Sequence, residues 1–275
     1  MLCKENPLKK QAFNPYLPRY EYVPDGEPRV FGDRVYVYGS HDAFQGEGFC
    51  VNDYVGWSAP VEDLGNWRYE GVIYPATRDP QNPQGKMQLF APDAVRGPDG
   101  RYYLYYSLNG SDNVGVAVCD TPAGDFQFYD YVRWPDGSIL GGKPGEISCF
   151  DPGVLVEGEN VYLYTGFAPG PGWLYDLLKQ KGRRMEGSYC TALEPDMRTV
   201  KREPRLIAPG VWNAQGTGYQ GHAFFEGRDG WESGLPLAAG GWLTVGDVLA
   251  LTRGPEHVIL SACESGRTHT AARPQ

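Results

Sequence analysis

The sequence lacks the marks of several protein classes. It has no Cys-x-x-Cys pair, and its four histidines show no zinc-type spacing with its six cysteines, so we expect scattered reduced thiols. It has no basic excess: the net charge of −9 argues against a nucleic acid or an anionic membrane as partner. It has no apolar run of about 18 residues that could span a membrane. Its start, MLCKENPLKK, lacks the apolar core of a secretory signal, and we expect a cytoplasmic protein.

What the sequence has in abundance is tyrosine, glycine and proline. It contains 19 Tyr, 37 Gly and 23 Pro in 275 residues, with 41% hydrophobic and 21% charged residues. This balance is typical of a globular, mainly β protein with many short strands and frequent turns.

A strand pattern repeats three times, with two tyrosines at the same positions. The three copies are RVYVYGSHD (34–42), RYYLYYSLN (101–109) and NVYLYTGFA (160–168). Upstream of each copy, at ten or eleven residues from its first tyrosine, an aspartate stands beside a proline: these are Asp25, Asp93 and Asp151. A repeat of about sixty residues with alternating strands predicts a β-propeller, and a β-sandwich is the alternative. In a propeller the three aspartates could line one central pocket, whereas each alone could be an ordinary turn residue.

Several longer stretches resemble glycoside hydrolase family 43 over about residues 12–227. The resemblance is carried by NPYLPRYEYVPDGEPRVFGDRVYVYGSHD (14–42), FCVNDYVGWSAPVEDLGNWRYEG (49–71), FAPDAVRGPDGRYYLYYS (90–107), CFDPGVLVEGENVYLY (149–164) and GYQGHAFFEG (218–227). It implies a five-bladed propeller that cleaves arabinose, xylose or galactose glycosides with inversion of configuration.

The resemblance also implies roles for three carboxylates. Asp25 resembles the general base, Asp151 the residue that tunes and orients the acid, and Glu226 the general acid. An inverting enzyme needs one carboxylate to activate water and one carboxylic acid to protonate the leaving oxygen. The flanking Phe224 and Phe225 would raise the pKa of Glu226, as an acid requires.

Further candidates for substrate binding are weaker. Asp93 matches a recurrent family motif outside the three catalytic positions, and we interpret it as structural, lining the pocket wall at most. The other candidates are His41, Trp57, Phe90 and His222; for an aromatic residue the alternative is core packing. We expect a small saccharide or a plant-polysaccharide oligomer as partner. No organic cofactor is implied, and no ligand set demands the Ca²⁺ that some relatives hold near the axis.

Residues 228–275 differ from the rest because they contain no Tyr and no Phe. The segment 233–267 resembles part of a CHAT-type caspase-like domain: 242–251 predicts a short helix with a Thr cap, and 257–263 a strand ending at Cys263. A cysteine protease using Cys263 is one alternative function, and a small apolar Cys on a strand is the alternative for that residue.

The sequence changes character at residues 226–228, and a natural fusion, a frame error and a cloning artefact are all open explanations of this change. We therefore predict an incomplete family 43 propeller with a short α/β tail. An inactive or carbohydrate-binding remnant is the other alternative function, and a homodimer could cover the open sheet edges.

Overall fold

The computed structural model describes residues 16–46, 48–167 and 172–209, together with the backbone of four short strands at 211–212, 219–220, 234–236 and 242–244. Three four-stranded antiparallel sheets make up most of this part, each with its strands in chain order. Among the described residues, no helix is long and apolar enough to cross a membrane.

The bounds of the elements follow the repeat seen in the sequence. The first sheet contains β1 (Glu27–Phe31), β2 (Arg34–Tyr38), β3 (Tyr54–Pro60) and β4 (Arg68–Tyr74). The second contains β5 (Leu89–Arg96), β6 (Tyr102–Leu108), β7 (Val114–Cys119) and β8 (Gln127–Tyr131). The third contains β9 (Gly153–Glu157), β10 (Asn160–Phe167), β11 (Gly187–Leu193) and β12 (Arg205–Pro209). A 3₁₀ turn (Ala76–Arg78) follows β4, and α1 (Trp173–Gln180) lies between β10 and β11.

The first strands of the three sheets lie side by side. Strand β5 contacts both β1 and β9, while the fourth strand of each sheet lies at the far edge. Consecutive four-stranded meanders that meet through their first strands are the blades of a propeller. The predicted mainly β, propeller-type fold is confirmed, and the three repeated strands are β2, β6 and β10, the second strand of each blade.

Buried tyrosines explain the unusual composition. Tyr105 and Tyr106 are fully buried, and each phenol finds a partner: Tyr105 donates to the carbonyl of Met197 at 2.5 Å, and Tyr106 donates to Asp79 at 2.5 Å. A tyrosine between two sheets can thus fill apolar volume and satisfy a buried polar atom at its tip. The blades are held by such phenols as well as by aliphatic side chains.

In the tail (residues 228–275), the described strands differ from the predicted helix. Trp242–Thr244 is strand β16, paired with β15 (Gly234–Pro236), so the predicted helix over 242–251 is wrong at its start. Pairing with a neighbouring segment decided the local structure there, which a capping signal cannot reveal. A further pair joins β13 (Val211–Trp212) and β14 (Tyr219–Gln220). Cys263 lies outside the described residues, and the domain boundary at 227 stays a prediction.

Candidate active site

Asp25 lies in a turn two residues before β1 and is held by one residue. Register pairs Glu27 with Tyr38, which brings Asp25 against the chain just beyond β2. There the backbone N–H of Ser40 donates to Oδ1 and its hydroxyl donates to Oδ2, both at 2.5 Å. Asp25 is half-buried. Both of these donors are neutral, and among the described residues no lysine or arginine pairs with the carboxylate.

Gly39 allows this close approach. A Cβ at position 39 would lie 2.9 Å from the Cα of Gly26 and 3.1 Å from Oδ1 of Asp25. The first of these distances is shorter than real Cβ contacts, and it involves backbone, which cannot move aside cheaply. A side chain at position 39 would therefore push the Asp25 turn away from the end of β2.

Asp151 occupies the equivalent position in the third sheet. Gly153 pairs with Tyr164 as Glu27 pairs with Tyr38, so each aspartate stands two residues before the partner of the repeat's second tyrosine. Asp151 is exposed and has a positive φ of 46°. Aspartate tolerates this left-handed conformation better than most residues, but such strain is stored mainly at functional positions.

Asp25 and Asp151 converge on the same buried neighbours. Burial is the largest cause that raises the pKa of the Cys50 thiol to about 11, and the carboxylates of Asp25, Asp42 and Asp151 contribute to that rise. The same two carboxylates add to burial in raising the pKa of Tyr54 well above its usual value. The carboxylates of two aspartates that precede different sheets thus influence the same two side chains, Cys50 and Tyr54.

Asp93 is not equivalent to the other two aspartates. It pairs directly with Tyr105, after a bulge between Phe90 and Asp93, so it lies inside β5 and not before it. The expectation that three equivalent aspartates face one pocket is therefore wrong for Asp93. A bulge shifts register by a residue or two, and spacing alone does not reveal it.

The contacts of Asp93 join all three sheets. Arg29 of β1 donates to both carboxylate oxygens, with Nε at 2.7 Å from Oδ1, and Val154 N–H of β9 donates to Oδ2 at 2.7 Å. Asp93 is 2% exposed, and burial raises its pKa against the opposing effect of Arg29. These contacts support a structural role, and its contact with sugar stays a prediction.

Phe90 belongs to an aromatic group beside the two aspartates. Its ring stacks on Phe49 with centroids 5.9 Å apart and meets Phe150 edge-on at 5.7 Å. Phe49 adjoins Cys50 and is 65% exposed, while Phe150 adjoins Asp151. Three sheets therefore contribute one ring each to a surface of the kind that sugar faces stack on.

His41 and Trp57 share the carboxylate of Glu21. His41 Nε2 lies 2.7 Å from Oε1 of Glu21, and Trp57 Nε1 donates to Oε2 at 2.9 Å. Trp57 lies on the third strand of the first sheet and is 5% exposed, packed with Leu17 and Val55. This placement favours core packing for Trp57, and sugar binding by either residue stays a prediction.

Glu226 and His222 lie outside the described residues, so the distance from Asp25 to the predicted acid is not part of this structure. Strand β14 ends at Gln220, shortly before both. Among the described residues, no three His, Cys, Asp or Glu side chains are grouped to hold a metal ion.

Three features of the site escaped the sequence interpretation: Ser40, Phe49 and the Arg29 partner of Asp93. The repeat contains a signal for Ser40, because this residue follows the second tyrosine by two residues, as Ser107 does in the second copy. Phe49 and Arg29 carry no pattern that distinguishes them from neighbouring residues.

Solved structures resemble the chain in fold. A family 43 enzyme from Xanthomonas citri, complexed with xylotriose, has a TM-score of 0.54 at 23% identity, covering 77% of this chain and 63% of that one. A β-xylosidase/α-arabinofuranosidase from a compost metagenome, with xylotriose and calcium-free, has a TM-score of 0.52 at 24% identity, covering 72% and 62%. At these identities the likeness shows the fold alone.

Sequence relatives are more similar. The chain is 57% identical over 220 residues to a protein of Thermoclostridium stercorarium named xylosidase/arabinosidase, covering 80% of this chain and 44% of the relative. It is 31% identical to a Bacteroides ovatus protein of the same name, covering 70% and 61%. The chain thus spans about half the length of these curated relatives. Because the profile of the glycosyl hydrolases family 43 matches residues 26–241, which is most of the chain, this protein belongs to that family.

Proposed function

We propose that this chain carries the water-activating part of an inverting glycoside hydrolase that removes terminal xylose or arabinose, with galactose as a third candidate. The observation that carries the proposal is the convergence of Asp25 and Asp151 on Cys50 and Tyr54, beside an exposed aromatic group. The names of the relatives support a pentose, and the xylotriose bound by two structural neighbours supports a saccharide ligand.

Asp25 suits the role of the general base. Both its oxygens accept hydrogen bonds from Ser40, and each keeps a further lone pair that can take a proton. A water held by Asp25 would attack the anomeric carbon on the face opposite the leaving group. The water gives its proton to the carboxylate as the new C–O bond forms, and the glycosidic C–O bond breaks.

Asp151 and Glu226 would serve the leaving group. Glu226 donates its proton to the departing oxygen, which leaves as an alcohol, and Asp151 keeps that proton in place by its negative charge. Asp151 is exposed on a strained turn just before the third sheet.

The aromatic group of Phe49, Phe90 and Phe150 would bind the apolar face of the sugar. Phe49 offers 65% of its surface, and its stacking on Phe90 fixes the plane of the ring. Such a platform orients a pentose above the two aspartates without hydrogen-bonding it.

The test is hydrolysis of aryl α-L-arabinofuranosides, β-D-xylosides and β-D-galactosides, with ¹H NMR to identify the first-formed anomer. We expect a pentoside to be cleaved to the inverted anomer, and Asp25→Asn to abolish cleavage. A retained anomer would overturn the mechanism. A cooperatively folded wild-type chain that binds xylose or arabinose oligomers without cleaving any substrate would overturn the enzyme assignment in favour of a binding protein.

We also propose that two copies associate through open sheet edges. Strand β12 is the last strand of the third sheet, and its Leu206 and Ile207 are 43% and 50% exposed. Unpaired edges with apolar side chains favour pairing with another chain. Analytical ultracentrifugation should give a dimer, and Ile207→Lys should shift it towards monomer; a monomer at all concentrations would contradict this.

A further inference from the structure

We infer that Ser40 is the positioning residue of Asp25, because it holds both oxygens of the carboxylate. The inference rests on the proposed function of Asp25 as base. It concerns a residue whose part in the site is visible only from its contacts.

Ser40 fixes the carboxylate at both oxygens. Its N–H and its hydroxyl reach different oxygens of Asp25, each at 2.5 Å, and the residue itself is 0% exposed. Two donors on two oxygens prevent the carboxylate plane from rotating, which a single donor would allow. A hydroxyl bound to an ionised carboxylate at this distance is a strong hydrogen bond.

The second repeat provides a natural control for this arrangement. Ser107 stands two residues after Tyr105, as Ser40 stands two residues after Tyr38. Ser107 is also 0% exposed, but its hydroxyl has no hydrogen-bond partner in the described part of the chain. The same residue at the same repeat position therefore supports a carboxylate in the first sheet and none in the second.

The fixed orientation matters because a general base must hold its water in line with the bond that breaks. A carboxylate free to rotate spends less time in that geometry, and small displacements lower the rate of the chemical step while leaving ground-state sugar binding in place. Loss of Ser40 should thus appear in kcat and not in KM.

The experiment compares Ser40→Ala with the matched variant Ser107→Ala, using aryl glycosides with good and poor leaving groups. We expect Ser40→Ala to lower kcat about 10- to 100-fold for every leaving group, with KM within about twofold. Ser107→Ala should keep kcat within about twofold of the wild type, and Ser40→Thr, which retains the hydroxyl, should recover much of the lost rate.

Several results would overturn the inference. These are an unchanged kcat in folded Ser40→Ala, an equal loss in Ser107→Ala, or a loss confined to poor leaving groups, which would point to the acid instead.

A second measurement does not depend on activity or on folding of the Ser40 variants. In the ¹H–¹⁵N spectrum of the wild type, the Ser40 amide proton should resonate far downfield and move upfield in Asp25→Asn, because the acceptor loses its charge. An unmoved amide would overturn the pairing itself. A downfield amide in a chain that cleaves no glycoside would contradict the proposed function and leave the pairing intact.

Discussion

The first and second sheets carry the same repeat but use its aspartate in opposite ways. Asp25 lies before its strand, half-buried, with a serine as its described partner. Asp93 lies within its strand, 2% exposed, with an arginine on both oxygens and a backbone N–H from the third sheet. Arg29 makes the carboxylate of Asp93 a joint between sheets, whereas the described donors to the carboxylate of Asp25 are neutral.

The largest effect is expected from Asp25→Asn, which tests the role proposed for the aspartate of the first sheet. Asp25→Asn should lower kcat/KM about 10²- to 10⁴-fold, since the amide cannot accept the proton of water. The unfolding temperature should change little, because the amide still accepts one Ser40 hydrogen bond. Steady-state kinetics with calorimetry on the same samples checks both; a large loss of stability would assign Asp25 to the fold.

The second effect concerns stability. Asp93→Asn removes the buried carboxylate that accepts two hydrogen bonds from Arg29 and leaves Glu27, 3.7 Å away, as the remaining counter-charge of Arg29. It should lower the free energy of unfolding by about 3 kcal/mol in urea titrations. Glu194→Gln, which removes one partner of the exposed Glu194–Lys201 pair, should change it by less than about 0.5 kcal/mol. Equal losses in the two variants would contradict the role of Asp93 as a joint.

A smaller effect, on substrate binding, is expected from the Phe49 ring, which stacks on Phe90 of the second sheet. Phe49→Ala should raise KM about three- to tenfold with kcat nearly unchanged, because in the proposed function the ring contacts the sugar and not the reacting atoms. The control is Tyr69→Ala, which removes an exposed ring from the outermost strand of the same sheet. A fall in kcat alone would move Phe49 from binding to chemistry.

For the Cys50 thiol we expect no measurable alkylation at pH 8. With a thiol pKa of about 11, Cys50 should resist iodoacetamide at pH 8 and react about tenfold faster per pH unit until about pH 11. Peptide mapping should find Cys50 unmodified and the glycosidase active after treatment at pH 8. Loss of activity on alkylation would favour the thiol chemistry considered for Cys263.

The sequence predicted the blades well because period-two alternation and tyrosine spacing are local properties of each strand. The roles of Asp25 and Asp151 stay predictions, although the register places the two aspartates at equivalent positions. The repeat spacing did not reveal that Asp93 lies within its strand, because a bulge in β5 changes register without changing composition. The sequence interpretation missed the Phe49–Phe90 stack, which joins residues from two sheets and leaves no trace in either segment.

The Asp93 joint has a consequence for how the protein unfolds. Its carboxylate is satisfied by residues 29, 94 and 154 together, so no sheet standing alone can bury it with all its donors. Detaching the third sheet would remove the Val154 donor from a buried charge in the second, which links the stability of the two. The three sheets should therefore lose their structure in one cooperative transition, and the parts of the site that they carry should disappear together.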